Sequence, residues 1–189
     1  MLVDDLYYAS RPVAYCKTSY TSIDGNLHDV SIKFVATEEL VLNGRKGKVS
    51  LANEVKISEI SAIKLGNSAQ NPLSEAGDET LIDWGYLYLA VKGDGIVEHT
   101  VFNNMYSASV KTDLNNDALF LFAYDDVESI TYFGENLKAY WKKDGKTIKD
   151  IIVEAANDYE YVYNRCNDFS NQLKKTATEK GNEKYAEML

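Results

Sequence analysis

Few groups in this chain have a type and spacing that bear directly on chemistry: two histidines, two cysteines, four pairs of neighbouring carboxylates and one basic cluster. His28 stands beside Asp29 and His99 beside Glu98, both in segments expected to be strands. Histidine next to a carboxylate can serve as a general base or a metal ligand. The two are far apart in the chain, however, and neither belongs to an HExxH or His-x-His pattern. They read as ordinary histidines. The acidic pairs Asp4-Asp5, Glu38-Glu39, Asp78-Glu79 and Asp125-Asp126 could run glycosidic chemistry or hold a hard cation. Adjacent residues on a strand point to opposite faces, which argues against one shared site. There is no Gly-x-Ser-x-Gly elbow and no recognisable cysteine signature around Cys16 or Cys166. No catalytic residue, metal site or cofactor is therefore expected.

The basic cluster is more specific. Asn43-Gly44-Arg45-Lys46-Gly47-Lys48 is expected to form a hairpin tip, with Arg45, Lys46 and Lys48 able to grip a phosphate, an inositol headgroup or a nucleic-acid backbone. It lacks Walker spacing. The remaining signal is aromatic. Fourteen tyrosines stand among 189 residues, and tyrosine and tryptophan are favoured at protein interfaces. In Ile82–Tyr88, Trp84, Tyr86 and Tyr88 fall on one face of an expected strand, opposite Leu87 and Leu89, and one of those faces is a candidate contact surface.

These groups need elements to hold them. The first two-thirds reads as strands punctuated by turns. Ile23-Asp24-Gly25-Asn26 separates Val13–Ile23 from Leu27–Val35, and Gly93-Asp94-Gly95 separates Leu81–Lys92 from Ile96–Phe102. Asp-Gly and Asn-Gly supply the left-handed backbone of tight hairpin turns. Leu40–Leu42, Lys48–Ile57, 105–111, 118–124 and 127–133 complete the set. Val30, Ile32 and Phe34 alternate with polar residues, as a half-buried strand requires. A short helix is expected over Glu135–Lys142. Then Thr147 and Asp150 form a capping-box pair. From there Ile148, Ile152, Ala155, Tyr159, Val162, Cys166, Phe169 and Leu173 recur at spacings of four and three. That is one stripe of a long amphipathic helix, suited to lying on a sheet or to self-association through Tyr159, Val162 and Phe169.

The fold expected is α+β and mainly β: an antiparallel barrel or sandwich ending in a long C-terminal amphipathic helix. It is read as one domain over 1–189, β-rich over 10–134 and helical over 135–180, with 66–80 as a seam or mobile loop. Hairpins followed by a strand–corner–strand and a closing helix resemble the pleckstrin-homology or GRAM-like class. That resemblance implies a phosphate-binding role for the Arg45–Lys48 tip. The long loop and the additional strands depart from it.

The net charge of −9 is spread over both halves. An acidic chain without a basic arm lacks the positive surface that collects phosphates, so nucleic acid is not an expected partner. No apolar run approaches a membrane span, and Met1–Ser10 carries acids where a secretory signal carries bases. A cytoplasmic setting follows, in which two cysteines are free thiols. The function expected is non-enzymatic: a protein-binding or adaptor protein that meets a partner, or a second copy, through its aromatic β surface and its helix. Alternatives are a component or inhibitor of viral or mobile-element type and a PH-like module for an anionic headgroup.

Overall fold

The computed structural model describes residues 2–43, 49–50, 54–74, 81–102, 105–113 and 117–188. Arg45, Lys46 and Lys48, expected to bind an anion, lie outside the described residues. The chain is mainly antiparallel β sheet with a long C-terminal helix. After a single helical turn, α1 (Leu6–Ser10), come β1 (Val13–Ser19), β2 (Ser31–Thr37), β3 (Val49–Ser50), β4 (Glu54–Ile57) and β5 (Ile60–Asn67). Then follow β6 (Tyr86–Lys92), β7 (Ile96–Phe102), β8 (Met105–Asp113), β9 (Asp117–Asp125), β10 (Ile130–Tyr132) and β11 (Glu135–Leu137). The chain ends in α2 (Ile148–Lys180) and α3 (Glu183–Ala186).

The large sheet has the order β1-β9-β6-β5-β3, with β4 also paired to β5. Its order has two ends, so it does not close into a barrel. A second sheet has the order β2-β8-β7, and β10 with β11 forms a separate ribbon. Side-chain alternation along β6 explains the layering. Leu87, Leu89 and Val91 point one way, into an apolar cluster that also takes Phe120 and, from the small sheet, Ala36, Ala108 and Val110. Tyr88 and Ala90 point the other way, into a cluster with Leu121, Trp141, Ile148, Ile151 and Ile152. The central strands of the large sheet are thus covered on both faces. That is why β5 and β6 are buried at nearly every position rather than at every second one.

Two expected hairpins are crossovers instead. β1 pairs with β9 and β2 with β8, so the Asp24-Gly25 turn links strands of different sheets. β6 and β7 likewise belong to different sheets, and Gly93-Asp94-Gly95 passes the chain between them. The close approach of the layers explains a glycine here: a Cβ on Gly95 would lie 2.5 Å from Val91 Cγ1. Leu40 ends a 3-10 turn, Glu38–Leu40, in place of a strand. The helix expected over Glu135–Lys142 is also absent. Phe133 and Gly134 take positive φ, 47° and 84°, and that reversal starts β11. The chain then coils through 3-10 turns, Tyr140–Gly145, which bury Trp141.

α2 begins as its sequence requires. The Thr147 side chain accepts from the Asp150 N–H, and the Asp150 carboxylate accepts from the Thr147 N–H at 2.8 Å. Its first turns bury Ile148, Ile151, Ile152, Ala155 and Ala156 against the sheet. At about 1.5 Å per residue the 33-residue helix is roughly 50 Å long. That is longer than the sheet it lies on. Beyond Glu160 it meets the N-terminal segment and α3, where Ala177 and Ala186 are buried. No helix among the described residues is long and apolar enough to cross a membrane.

Candidate contact surface

The β10–β11 ribbon groups several exposed apolar side chains in one element. Every residue of both strands is exposed, so neither face of the ribbon is covered. Ile130 and Leu137 face each other across it, and Tyr132 pairs with Glu135 at the turn. Phe133 is 89% exposed and Tyr132 59%, with their ring centroids 4.5 Å apart and edge-on. Tyr140 continues the exposed apolar group just past β11. Phe133 also holds a left-handed conformation at φ 47°. A bulky residue there is strained by about 1–3 kcal/mol. Sequence economy alone would place glycine or asparagine at that position. This exposed, strained aromatic belongs to neither of the two apolar clusters.

A two-stranded ribbon is marginal by itself in water, so its base must hold it. The Ser129 N–H donates to the Leu137 carbonyl at 2.9 Å, and the Asn136 side-chain amide donates to Glu128 Oε2 at 2.6 Å. Thr131 Oγ1 donates to Asn136 Oδ1 at 2.9 Å. Below these bonds, the corner between β9 and β10 is locked by one lysine. Lys142 Nζ lies 2.6 Å from Asp125 Oδ1 and donates to the Val127 carbonyl at 2.7 Å. Val127 is left-handed at φ 61°. For a β-branched residue that is a true outlier, and only surrounding bonds sustain it.

Trp84 belongs to this support. It is 7% exposed, and its indole N–H donates to the Glu128 carbonyl at 3.3 Å, while its own carbonyl accepts from the Tyr124 hydroxyl. Burial raises the Tyr124 phenol to about 12, with Asp126, Asp83 and Asp125 adding to the rise. Gly85 is forced: its φ is +86°, and a Cβ would stand 2.4 Å from the Asp125 carbonyl oxygen. Gln70 brackets it, accepting from the Gly85 N–H at 2.6 Å and donating to its carbonyl at 3.2 Å.

The other residues named from sequence divide into two groups. Tyr88 is 5% exposed and faces α2, and Tyr86 is half-buried beneath Lys64, whose Nζ is 3.3 Å from its ring centroid. Burial lowers the Lys64 ammonium, with Asp125 opposing and Lys149 reinforcing the shift. Tyr159, Val162 and Phe169 lie together along α2, all half-buried. Tyr159 stacks on Tyr163 at 5.8 Å and meets Tyr15 at 5.4 Å. Past it the stripe of Val162, Cys166, Phe169 and Leu173 runs off the sheet, with Tyr161 and Tyr163 exposed beside it.

The distal helix is aimed by the N-terminal segment. Arg11 is buried and forks onto Asp158, with Nη1 to Oδ2 at 2.7 Å and Nη2 to Oδ1 at 3.1 Å, and also donates to the Tyr15 hydroxyl at 2.6 Å. Burial drives the Tyr15 phenol up to about 12 despite that guanidinium. Arg165 reaches back to both Asp4 and Asp5 at 3.1 Å. Lys146 Nζ donates to Tyr7 Oη and to Glu154 Oε1, each at 2.7 Å, and the Tyr7 hydroxyl donates to Glu154.

The histidines are separate. His28 lies in the connection after the Asp24 turn, outside any strand, with Nε2 2.9 Å from Asp24 Oδ1. That contact, with Ser22 and Asn26, holds the Asp24 carboxyl well below its ordinary range. His99 is exposed on β7. No group of three or more His, Cys, Asp or Glu suited to a metal ion occurs among the described residues.

Sequence alone does not reveal the ribbon tip, because 127–133 has the pattern of an ordinary strand. The available signal was Tyr-Phe-Gly-Glu, a two-residue turn with a bulky residue where hairpins favour Asn or Asp. A family model described as a domain of unknown function, DUF5127, matches residues 1–114 and 97–176. No curated protein matches the chain.

Proposed function

The chain belongs to the DUF5127 family, and we propose that it is a non-enzymatic protein-binding module whose chief contact element is the β10–β11 ribbon. The observation that carries this is Phe133: 89% exposed, at positive φ, on a ribbon whose base is tied by side chains. Aromatic residues on a rigid scaffold give contact area with little ordering entropy on binding. The partner is a protein with an apolar pocket that takes the Phe133 ring. The distal half of α2 is a second contact surface, supported by the half-exposed stripe of Val162, Phe169 and Leu173. Two sheets sharing one apolar cluster support describing the β part as a sandwich. Two unpaired thiols, Cys16 and Cys166, support a reducing, cytoplasmic setting.

The test is Phe133→Gly. Relief of the left-handed strain is partly offset by glycine's greater unfolded entropy, so unfolding free energy holds or rises by up to about 1 kcal/mol. A photo-cross-linking residue at Tyr132 should capture a protein partner in the wild type, and Phe133→Gly should abolish that capture. Undiminished capture by the variant would overturn the assignment of the ribbon. Light scattering over a range of concentrations tests the helix. Growth in mass that Phe169→Glu suppresses places a second copy on the distal stripe; constant mass removes self-association there.

A further inference from the structure

Beneath the start of α2, away from the ribbon tip, is a hollow of about 610 Å³. Tyr88, Asp125, Lys138, Lys142, Lys146 and Lys149 border it, together with the backbone of Gly145–Lys149. Four lysines against one lining carboxylate invert the sign of a chain whose net charge is −9. Two of these lysines are committed: Lys142 to Asp125 and Asp126, and Lys146 to Glu154. Lys138 and Lys149 are exposed and have no carboxylate partner among the described residues. The nearest acid on the helix, Asp150, is occupied by the Thr147 N–H and hydroxyl at 2.8 and 2.6 Å.

The backbone adds donors. The Asp150 N–H is taken by Thr147 Oγ1 and the Ile151 N–H by the Thr147 carbonyl. The Ile148 and Lys149 N–H groups, the first two of the helix, have no acceptor among the described residues. Amides at the start of a long helix favour an anion through direct bonds and through the helix dipole. Tyr88 supplies an independent pointer. It is 5% exposed, yet its hydroxyl takes no hydrogen bond among the described residues. No fully buried side-chain polar atom is left unpaired among the described residues, so the Tyr88 hydroxyl is the part that reaches the hollow. The Tyr88 side chain is otherwise buried, so its hydroxyl is fixed at the wall of the hollow with its proton available to an acceptor there.

We propose that this hollow binds a phosphate monoester, its oxygens held by the Ile148 and Lys149 amides, the Lys138 and Lys149 ammonium groups and the Tyr88 hydroxyl. Three acceptor oxygens and nearly two negative charges match that donor set better than a carboxylate does. The volume exceeds that of a phosphate group alone and lies in the range of small-ligand sites. Asp125 on the wall disfavours further negative charge, so the rest of the ligand is uncharged. The same phosphate chemistry is offered by a soluble phosphate ester and by a phosphatidic acid headgroup.

Inorganic phosphate and glycerol phosphate, titrated into the full chain, should shift the Ile148 and Lys149 amide resonances saturably, with chloride at equal ionic strength inactive. Lys138→Gln with Lys149→Gln should weaken binding by about tenfold, and Tyr88→Phe by about threefold or more, as expected for lost charge-assisted bonds. Both leave the urea midpoint unchanged or higher, which separates binding from folding. Tighter binding of phosphatidylcholine vesicles doped with phosphatidic acid than of glycerol phosphate assigns a lipid source; the reverse assigns a soluble one. Phe133→Gly should bind phosphate as the wild type does, so failure of the ribbon assignment leaves this one intact. Absence of saturable shifts, equal shifts with chloride, or wild-type affinity in both lysine and tyrosine variants would overturn it.

Discussion

Arg11 shows how one residue can decide the placement of a distant surface. Its guanidinium is desolvated, which works against its charge, but Asp158 holds it charged with two hydrogen bonds, and the Tyr8 ring lies 4.6 Å away. Removing one partner of such a pair leaves the other charge without its partner. Arg11→Ala should lower unfolding free energy by about 3 kcal/mol, measured by urea denaturation. The loss should shrink when Asp158→Ala is already present, since the two then share one interaction. Equal losses in both backgrounds would show that Arg11 acts through its packing and its Tyr15 bond rather than through Asp158. Phe133 is the opposite case: its left-handed conformation opposes folding, and the role proposed for it lies in a contact.

α2 carries two different environments along its length. Over Ile148–Ala156 it lies on the large sheet and buries residues on adjacent stripes, Ile151 with Ile152 and Ala155 with Ala156. Past Glu160 its packing comes from the N-terminal segment and the short α3. Stability within one helix follows the density of buried contacts. Amide exchange should therefore be slowest over Ile151–Ala156 and faster between Asn164 and Gln172. Uniform protection along the helix would mean that the distal half is covered. At the first turn the capping box is exposed but complete. Thr147→Ala should cost about 1 kcal/mol, with the helix start, not its distal end, losing exchange protection.

For the molecule as a whole, pH acts on a set of clamps. Bonds from the Tyr8 N–H and Arg165 hold Asp5 below its ordinary value, and the Thr147 hydroxyl and N–H do the same for Asp150. Burial pushes Glu154 up, but Lys146 and Tyr7 outweigh it and leave the carboxyl lowered. A depressed folded-state value means that the unfolded chain takes up protons first as pH falls. This stabilisation is complete above the ordinary carboxylate range and is lost below about pH 4. At the other extreme, Tyr15, Tyr88 and Tyr124 are raised to about 12, chiefly by burial. There the unfolded chain loses protons first, so stability falls from about pH 10 upward. Urea midpoints should form a plateau between those limits. A midpoint that rose on acidification through pH 4 would contradict the clamp geometry.

Local rules written in the chain were enough for the helix of 148–180, its cap at Thr147 and Asp150, and the alternation of Val30, Ile32 and Phe34. Capping, helical periodicity and strand alternation depend on residues a few positions apart, and those distances are visible in sequence. Which strands pair was a different matter. Asp24-Gly25 and Gly93-Asp94-Gly95 are turn signals, but a turn does not specify whether the next strand returns to its neighbour or crosses to the other sheet. That choice came from burying Leu87, Leu89 and Val91 against Ala108 and Val110. The same global packing turned Tyr88 inward under α2 and buried Trp84 at the β9–β10 corner. It also left Tyr132 and Phe133 outside, on a ribbon that no layer covers. Lys138, Lys142, Lys146 and Lys149 lie close together in the sequence, but Tyr88 stands far earlier in the chain, and only the fold brings it among them. Proximity between remote residues is a tertiary property: it follows from the free energy of the whole core and not from any local pattern.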